Sequence, residues 1–210
     1  GPQYIVEVLV HKGNLNIVAI VKQDITKIKK FIVTGYEIQL NPEESLYRSL
    51  FDAVESIIKD LEVVNAACHL EIRHVHGNWK LIEINPRISG GAMNRMIEEA
   101  YGINLVEETI KSYLDNEPDL ERKHETYIYT HYLTINSLGK LLKVTGKNIA
   151  TNLPGVIEVY IKPRKGAIMI PPVSMGQRYA YVIASGDTPE EAKKNAVNAT
   201  SHIKFYLEPL

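Results

Sequence analysis

The segment His69 to Gly91, HLEIRHVHGNWKLIEINPRISGG, leaves a chain few folds to choose from. Apolar and polar residues alternate on both sides of His76-Gly77-Asn78, the period of two strands that each bury one face. A three-residue loop there, with Gly77 or Asn78 in the left-handed region, places Glu71 opposite Glu83, His69 opposite Asn85, Leu70 opposite Ile84 and Ile72 opposite Ile82. One side of the hairpin is then hydrocarbon and the other polar. A two-residue loop, setting Glu71 against Ile84, would mix the faces, so the pattern favours the longer loop.

Around this hairpin the pattern is that of an α+β chain built on antiparallel sheet with flanking helices. Strand-like runs at Tyr4–Val10, Leu15–Lys22 and Phe31–Ile38 suggest a meander. A helix is expected from Asn41-Pro42-Glu43-Glu44, with Asn41 as cap, Pro42 in the first turn and an apolar face from Leu46 to Leu61. Helices follow the hairpin at Ala92–Ala100, stopped by Gly102, and at Leu105–Leu114. The polar stretch after Leu114 reads as a linker, dividing the chain into residues 1–115, a linker at 116–126 and a smaller α+β module at 127–210. In that module, strands are expected at Tyr127–Leu133, Lys140–Val144, Val156–Ile161, Ala167–Ile170 and Tyr179–Ala184. A last helix opens at the capping box Thr188-Pro189-Glu190-Glu191.

Charge removes one large class of function. Twenty-four basic residues against twenty-five acidic ones leave no cationic field for nucleic acid. No run approaches the roughly eighteen apolar residues of a spanning helix, and the opening residues show no signal-peptide pattern, so no membrane partner is expected. The lone Cys68 makes no internal disulfide and reads as a small buried hydrophobe, which suits a cytoplasmic protein. Tyr4–Val10 is strand-like from the very start of the chain, which reads as part of a longer polypeptide.

The polar side of the hairpin carries the chemistry. Opposed side chains stand with Cβ atoms about 4.5 to 5.5 Å apart, where like charges repel, so a cation is expected between Glu71 and Glu83. Two carboxylates and the Asn85 amide oxygen are hard ligands, suited to magnesium or manganese completed by water and phosphate oxygens. His69 leaves a softer metal open. Arg87 offers a planar fork to a phosphoryl or carboxylate group. Ser89-Gly90-Gly91 lead into a helix whose free amides can receive an anion. Taken alone, two glutamates beside Arg73 and Lys80 read as a solvated ion-paired face. The whole string, Glu-x-Asn-Pro-Arg followed by Gly-Gly behind a cross-strand glutamate, favours a site. Glu7 and Lys22 could face the site from neighbouring strands, though on spacing alone each reads as an ordinary exposed position, and His11, His124, His131 and His202 read as surface or structural residues.

Glu71 with Glu83-Ile84-Asn85-Pro86-Arg87 resembles the metal-binding hairpin of the ATP-grasp superfamily, and Tyr4-Ile5-Val6-Glu7 the strand that opens that fold's second lobe. Arg87-Ile88-Ser89-Gly90-Gly91 and Gly102 to Val106 are most similar to the branch of L-amino acid ligases that make dipeptides; biotin carboxylases share the hairpin and match less well downstream. The resemblance implies that residues 1–115 are the ATP-grasp C-terminal lobe. Glu71, Glu83 and Asn85 would hold the magnesium ions that bridge ATP phosphates, Arg87 the transferred phosphoryl group, and Gly90 and Gly91 the acyl oxygen. The implied reaction joins a small carboxylate and an amine, amino acids by analogy, through an acyl phosphate. A bicarbonate-activating enzyme and a non-catalytic module that retains the hairpin are the alternatives. Oligomeric state stays open, with a homodimer among the options.

The family's first lobe, which supplies phosphate-binding lysines and a glycine-rich loop, has no counterpart in this sequence, so the missing N-terminal part of the polypeptide is an expected partner and the chain alone is expected to be inactive. Calorimetric titration of the 210-residue chain with ATP and magnesium should therefore show no binding in the micromolar range; micromolar affinity would contradict the reading.

Overall fold

In the computed structural model, which describes residues 1–27 and 30–210, the chain opens with strands β1 (Gln3–His11), β2 (Asn14–Lys27) and β3 (Phe31–Ile38). Lys12 and Gly13 between β1 and β2 both take positive φ, 51° and 78°, as a two-residue hairpin turn requires. Then come α1 (Glu44–Asp60), β4 (Ala66–Val75), β5 (Asn78–Asn85), α2 (Met93–Tyr101) and α3 (Leu105–Tyr113). The remainder holds β6 (Tyr127–Leu133), β7 (Gly139–Thr145), α4 (Lys147–Thr151), β8 (Val156–Ile161), the short β9 (Ile168–Met169), a 3-10 turn at Met175–Gln177, β10 (Ala180–Gly186), α5 (Pro189–His202) and β11 (Lys204–Glu208). This is the α+β architecture expected, antiparallel sheet flanked by helices. The described residues fall into two units, 1–22 with 38–126 and 23–37 with 127–210, so β2 passes from one into the other.

In the first unit the strands run in the order β5-β4-β1-β2. Tyr4, Val6, Val8 and Val10 of β1 and Cys68, Leu70 and Ile72 of β4 turn one face toward Leu50, Val54 and Ile58 of α1, forming a core. The alternate residues of β1, Ile5, Glu7, Leu9 and His11, are also buried, and His11 Nδ1 lies 2.9 Å from the Ser112 hydroxyl of α3, so helices cover both faces of this strand. Helix α1 starts two residues later than expected: Glu43, not Asn41, is the cap, and its carboxylate takes the Ser45 hydroxyl instead of a backbone amide. Helix α2 ends as read, on Gly102 at φ 71°, whose N–H returns to Glu98 O.

The segment expected as a linker is tied to the first unit. Lys123 and Thr126 donate backbone N–H groups to Tyr101 and Ala100, Asp119 N donates to Glu108 Oε2 at 2.7 Å, and Arg122 stacks 4.1 Å from the Tyr101 ring centre. Such bonds hold polar sequence in place without any apolar periodicity.

In the second unit β3, β6, β10 and β8 lie in that order, all neighbours antiparallel. Ala192, Ala196 and Ala199 let α5 approach the sheet closely. The Thr188 hydroxyl caps that helix by accepting Glu191 N, while the Glu191 carboxylate takes Asp187 N. Tyr36, Tyr132, Tyr181 and Tyr160, one from each strand, form a cross-strand row with ring centres 5.1 to 5.6 Å apart, and the Arg178 guanidinium sits 4.0 Å from the Tyr132 ring centre. A second sheet runs β11-β7-β9.

The hairpin at the centre of the sequence reading departs from expectation in an instructive way. His76 and Gly77, at φ 50° and 75°, make a two-residue turn, with Val75 opposite Asn78 and Ile72 opposite Leu81. A bulge between Glu71 and Ile72 on the partner side leaves Ile82 unpaired, and from there Glu71 faces Glu83, Leu70 faces Ile84 and His69 faces Asn85. Three expected pairs hold, and Ile72 with Ile82 does not. A shorter turn plus one extra strand residue reaches the same register as a longer turn. Since Gly77 must stay at positive φ, Gly77→Ala should lower stability by about 1 kcal/mol, read as a lower urea midpoint; an unchanged midpoint would count against this turn geometry.

Candidate functional site

The bulge puts Glu83 on the same side of the sheet as Glu71, opposite the hydrocarbon face of Leu70 and Ile72. Gln3 Nε2 donates to Glu71 Oε2 at 3.2 Å and Arg73 Nη2 donates to Gln3 Oε1 at 2.9 Å, so the Glu71 carboxylate is aimed by a neutral amide that is itself held. Among the described residues neither Glu71 nor Glu83 enters an ion pair, which removes the salt-bridged face as the explanation of these two acids.

Asn85 follows from the hydrogen-bond pattern. The Arg87 carbonyl can only accept, so His69 donates to it from Nδ1, at 3.0 Å, and keeps Nε2 as an acceptor. Asn85 Nδ2 then gives one hydrogen to His69 Nε2 at 3.1 Å and the other to Glu83 Oε1 at 2.6 Å. Both amide hydrogens are used, and Oδ1 is left for a cation. Two carboxylates and one amide oxygen share this side of the hairpin. Among the described residues there is no group of three or more His, Cys, Asp and Glu side chains that could hold a metal. An all-protein cage is thus missing, but the oxygen set fits magnesium, which is commonly held by one or two carboxylates together with substrate phosphates and water. Arg87 is exposed, with Nη1 on the Ile88 carbonyl at 3.1 Å.

Beyond Pro86 the chain turns back over the sheet. Arg87 N reaches Asn85 O, Arg87 O rests on His69 of β4, and Ser89 N rests on Glu7 Oε2 of β1 at 3.3 Å. Asn94 Nδ2 then takes Ser89 O at 3.0 Å. Gly91 takes φ 69°, and Ala92 precedes helix α2 as its cap residue without a side-chain cap bond. A Cβ added to Gly90 would meet no protein atom within 4 Å, so packing does not demand glycine there.

Glu7, read as an ordinary exposed residue, is fully buried. Position seven in an alternating strand gave no reason to look for an acid inside the protein, and its partner, Ser89, comes from the chain that follows β5. Burial pushes its carboxyl up from 4.5 to about 7, against the opposing pull of Ser89 and Arg87. Cys68 is buried in the core, where burial first and the Glu7 charge second raise its thiol to about 11. His11, His124 and His131 all have protein partners, as expected of structural residues.

Residues 1–95 match the ATP-grasp domain family and residues 131–208 match the L-amino acid ligase C-terminal domain 2 family. The L-arginine-specific L-amino acid ligase of Bacillus subtilis is 22% identical over 158 residues, which cover 75% of this chain and 38% of that protein. The crystal structure of the L-amino acid ligase from Bacillus licheniformis aligns with a TM-score of 0.85 at 18% identity, over 99% of this chain and 52% of that one. Phosphoribosylglycinamide synthetase from Anaerococcus prevotii aligns with a TM-score of 0.85 at 14% identity, over 98% of this chain and 53% of that one. The chain spans about half the length of these solved structures and 38% of the curated ligase, and at these identities the structural likeness is one of fold.

The Glu7 carboxyl makes stability depend on pH. Its neutral form is the one the fold prefers, so its contribution is complete below the unfolded value of 4.5 and is lost as pH rises through about 7. The loss amounts to about 3 kcal/mol. Denaturant unfolding at pH 5 and pH 8 should show Glu7→Gln gaining on the wild type between the two; parallel losses would mean that Glu7 ionises as freely in the fold as outside it.

Proposed function

We propose, for a chain that belongs to the ATP-grasp superfamily of ligases, that the protein it comes from joins a small carboxylate to an amine, an amino acid in each role, at the expense of ATP. The observation that carries this reading is the placement of Glu71, Glu83 and Asn85 on one side of the β4–β5 hairpin, with Arg87 and the uncapped start of α2 following it in the chain. Magnesium bound there would neutralise phosphate charge and polarise the phosphorus under attack.

The chain's own residues do the rest. Glu71 and Glu83 would supply the negative charge that holds a magnesium ion at the hairpin. Asn85 contributes a neutral ligand whose orientation His69 and Glu83 set. In the first step a carboxylate oxygen of the substrate bonds to the γ-phosphorus while the bond from that phosphorus to the bridging oxygen breaks, giving an acyl phosphate and ADP. Arg87 faces the charge on the equatorial oxygens as it moves. In the second step the amine attacks the acyl carbon, phosphate departs, and the amine proton is lost to give the amide. The acyl oxygen lies at Gly90 and Gly91, where the absence of side chains admits it to the helix amides. The match of residues 131–208 to an L-amino acid ligase domain favours this reading over bicarbonate activation.

A phosphate-release screen of the full-length protein against pairs of amino acids tests it. Release should require magnesium and two amino acids, and Glu83→Gln should cut it at least about a hundredfold with an unchanged unfolding midpoint. Release that needs bicarbonate and ignores amino acids would replace the proposal with the carboxylating alternative, and a Glu83→Gln variant of full activity would remove the hairpin from the chemistry.

A further inference from the structure

Asn85 on β5, His69 on β4 and Glu7 on β1 stand in one row across three strands, His69 opposite Asn85 and Glu7 opposite His69. The chain leaving β5 crosses back over that row, held at Arg87 O by His69 and at Ser89 N by Glu7. Glu7 is completely buried and His69 and Ser89 nearly so. Glu7 spends only Oε2 on this contact. Its Oε1, the Ser89 hydroxyl and Asn94 Oδ1 are buried and meet no hydrogen-bond partner of acceptable geometry. An apolar side chain in place of the acid would avoid the cost of burying a carboxyl. What the acid supplies at this position is an acceptor for the Ser89 amide, two residues past Arg87 and directly before the two glycines.

We propose that Glu7 is a positioning residue: by accepting the Ser89 amide it sets the course of residues 87–91, and with it the aim of the Arg87 guanidinium and of the amides of Gly90 and Gly91. The catalytic consequence rests on the ligase reading, whereas the structural one does not. A glutamine at this position keeps an acceptor oxygen and nearly the same volume. A methionine keeps the volume and removes the acceptor.

Amide hydrogen exchange by NMR on the 210-residue chain reads the structural consequence. Glu7→Met should speed exchange at Ser89, whose amide Glu7 accepts, by about tenfold or more relative to amides of β10, and Glu7→Gln should leave it protected. Wild-type protection in Glu7→Met, or equal loss in both variants, would overturn the proposal. In the full-length protein Glu7→Met should lower kcat by about ten- to a hundredfold with little change in KM for ATP, and Glu7→Gln should restore it. Full activity in Glu7→Met, or no rescue by Glu7→Gln, would again overturn it. Failure of the ligase reading looks different: wild-type protein would release no phosphate with any amino-acid pair, and the exchange measurement would still decide the role of Glu7.

Discussion

One unpaired residue, Ile82, decides what the hairpin can do. Beyond the two-residue turn at His76-Gly77, regular pairing would set Ile82 against Glu71 and send Glu83 to the hydrocarbon side with Leu70. The bulge shifts the register by one position and turns Glu83 and Asn85 toward Glu71 and His69. β5 is an edge strand, so the kink disturbs pairing on one side only. The polar side of the hairpin holds both acids only because of that single insertion.

Given that register, neutral hydrogen bonds do most of the aiming. Gln3 sits between Arg73 and Glu71, so the carboxylate is oriented without a cation neutralising it. His69 is fixed as the Nδ1–H tautomer by a carbonyl, and this in turn leaves the Asn85 oxygen unclaimed. An ion pair at Glu71 or Glu83 would have competed with a metal for the same oxygens. Holding acids in place with amides and imidazole keeps their charge available, an arrangement suited to ligands that must bind a divalent ion.

Glu7 belongs to the same logic at greater depth. It holds the amide of Ser89 before α2, while His11 from the same strand meets Ser112 of α3. Strand β1 therefore presents hydrocarbon to α1 on one side and, on the other, a mixture of Ile5, Leu9 and two polar anchors for the chain and helices above. Glu7 acts on the Ser89 amide, and His11 on the Ser112 hydroxyl and the Glu117 carboxylate.

Much of this was legible in the residues alone. Strands β6 and β8 were read to the residue, since their alternation meets a sheet with one helix-covered face, and α2 and α5 announced their ends through Gly102 and Thr188. Helix α4 and strand β11 escaped: five residues hold too little periodicity to stand out, and β11 is made by pairing with β7. The opposition of Glu71 and Glu83 was legible because the hydrocarbon face of β4 demands it, whatever turn delivers it. The turn itself was not, because a loop of three and a loop of two with a bulge yield the same pairs from Glu71 and Glu83 onward. Sequence by itself determined which residues lie on the wet side of the hairpin, since burial of apolar groups is a property of period and composition. Only the tertiary structure decided that Glu7 is inside, that Asn85 keeps its oxygen free and that the chain after Pro86 lies across His69 and Glu7, because each depends on which non-neighbouring groups come within hydrogen-bonding distance.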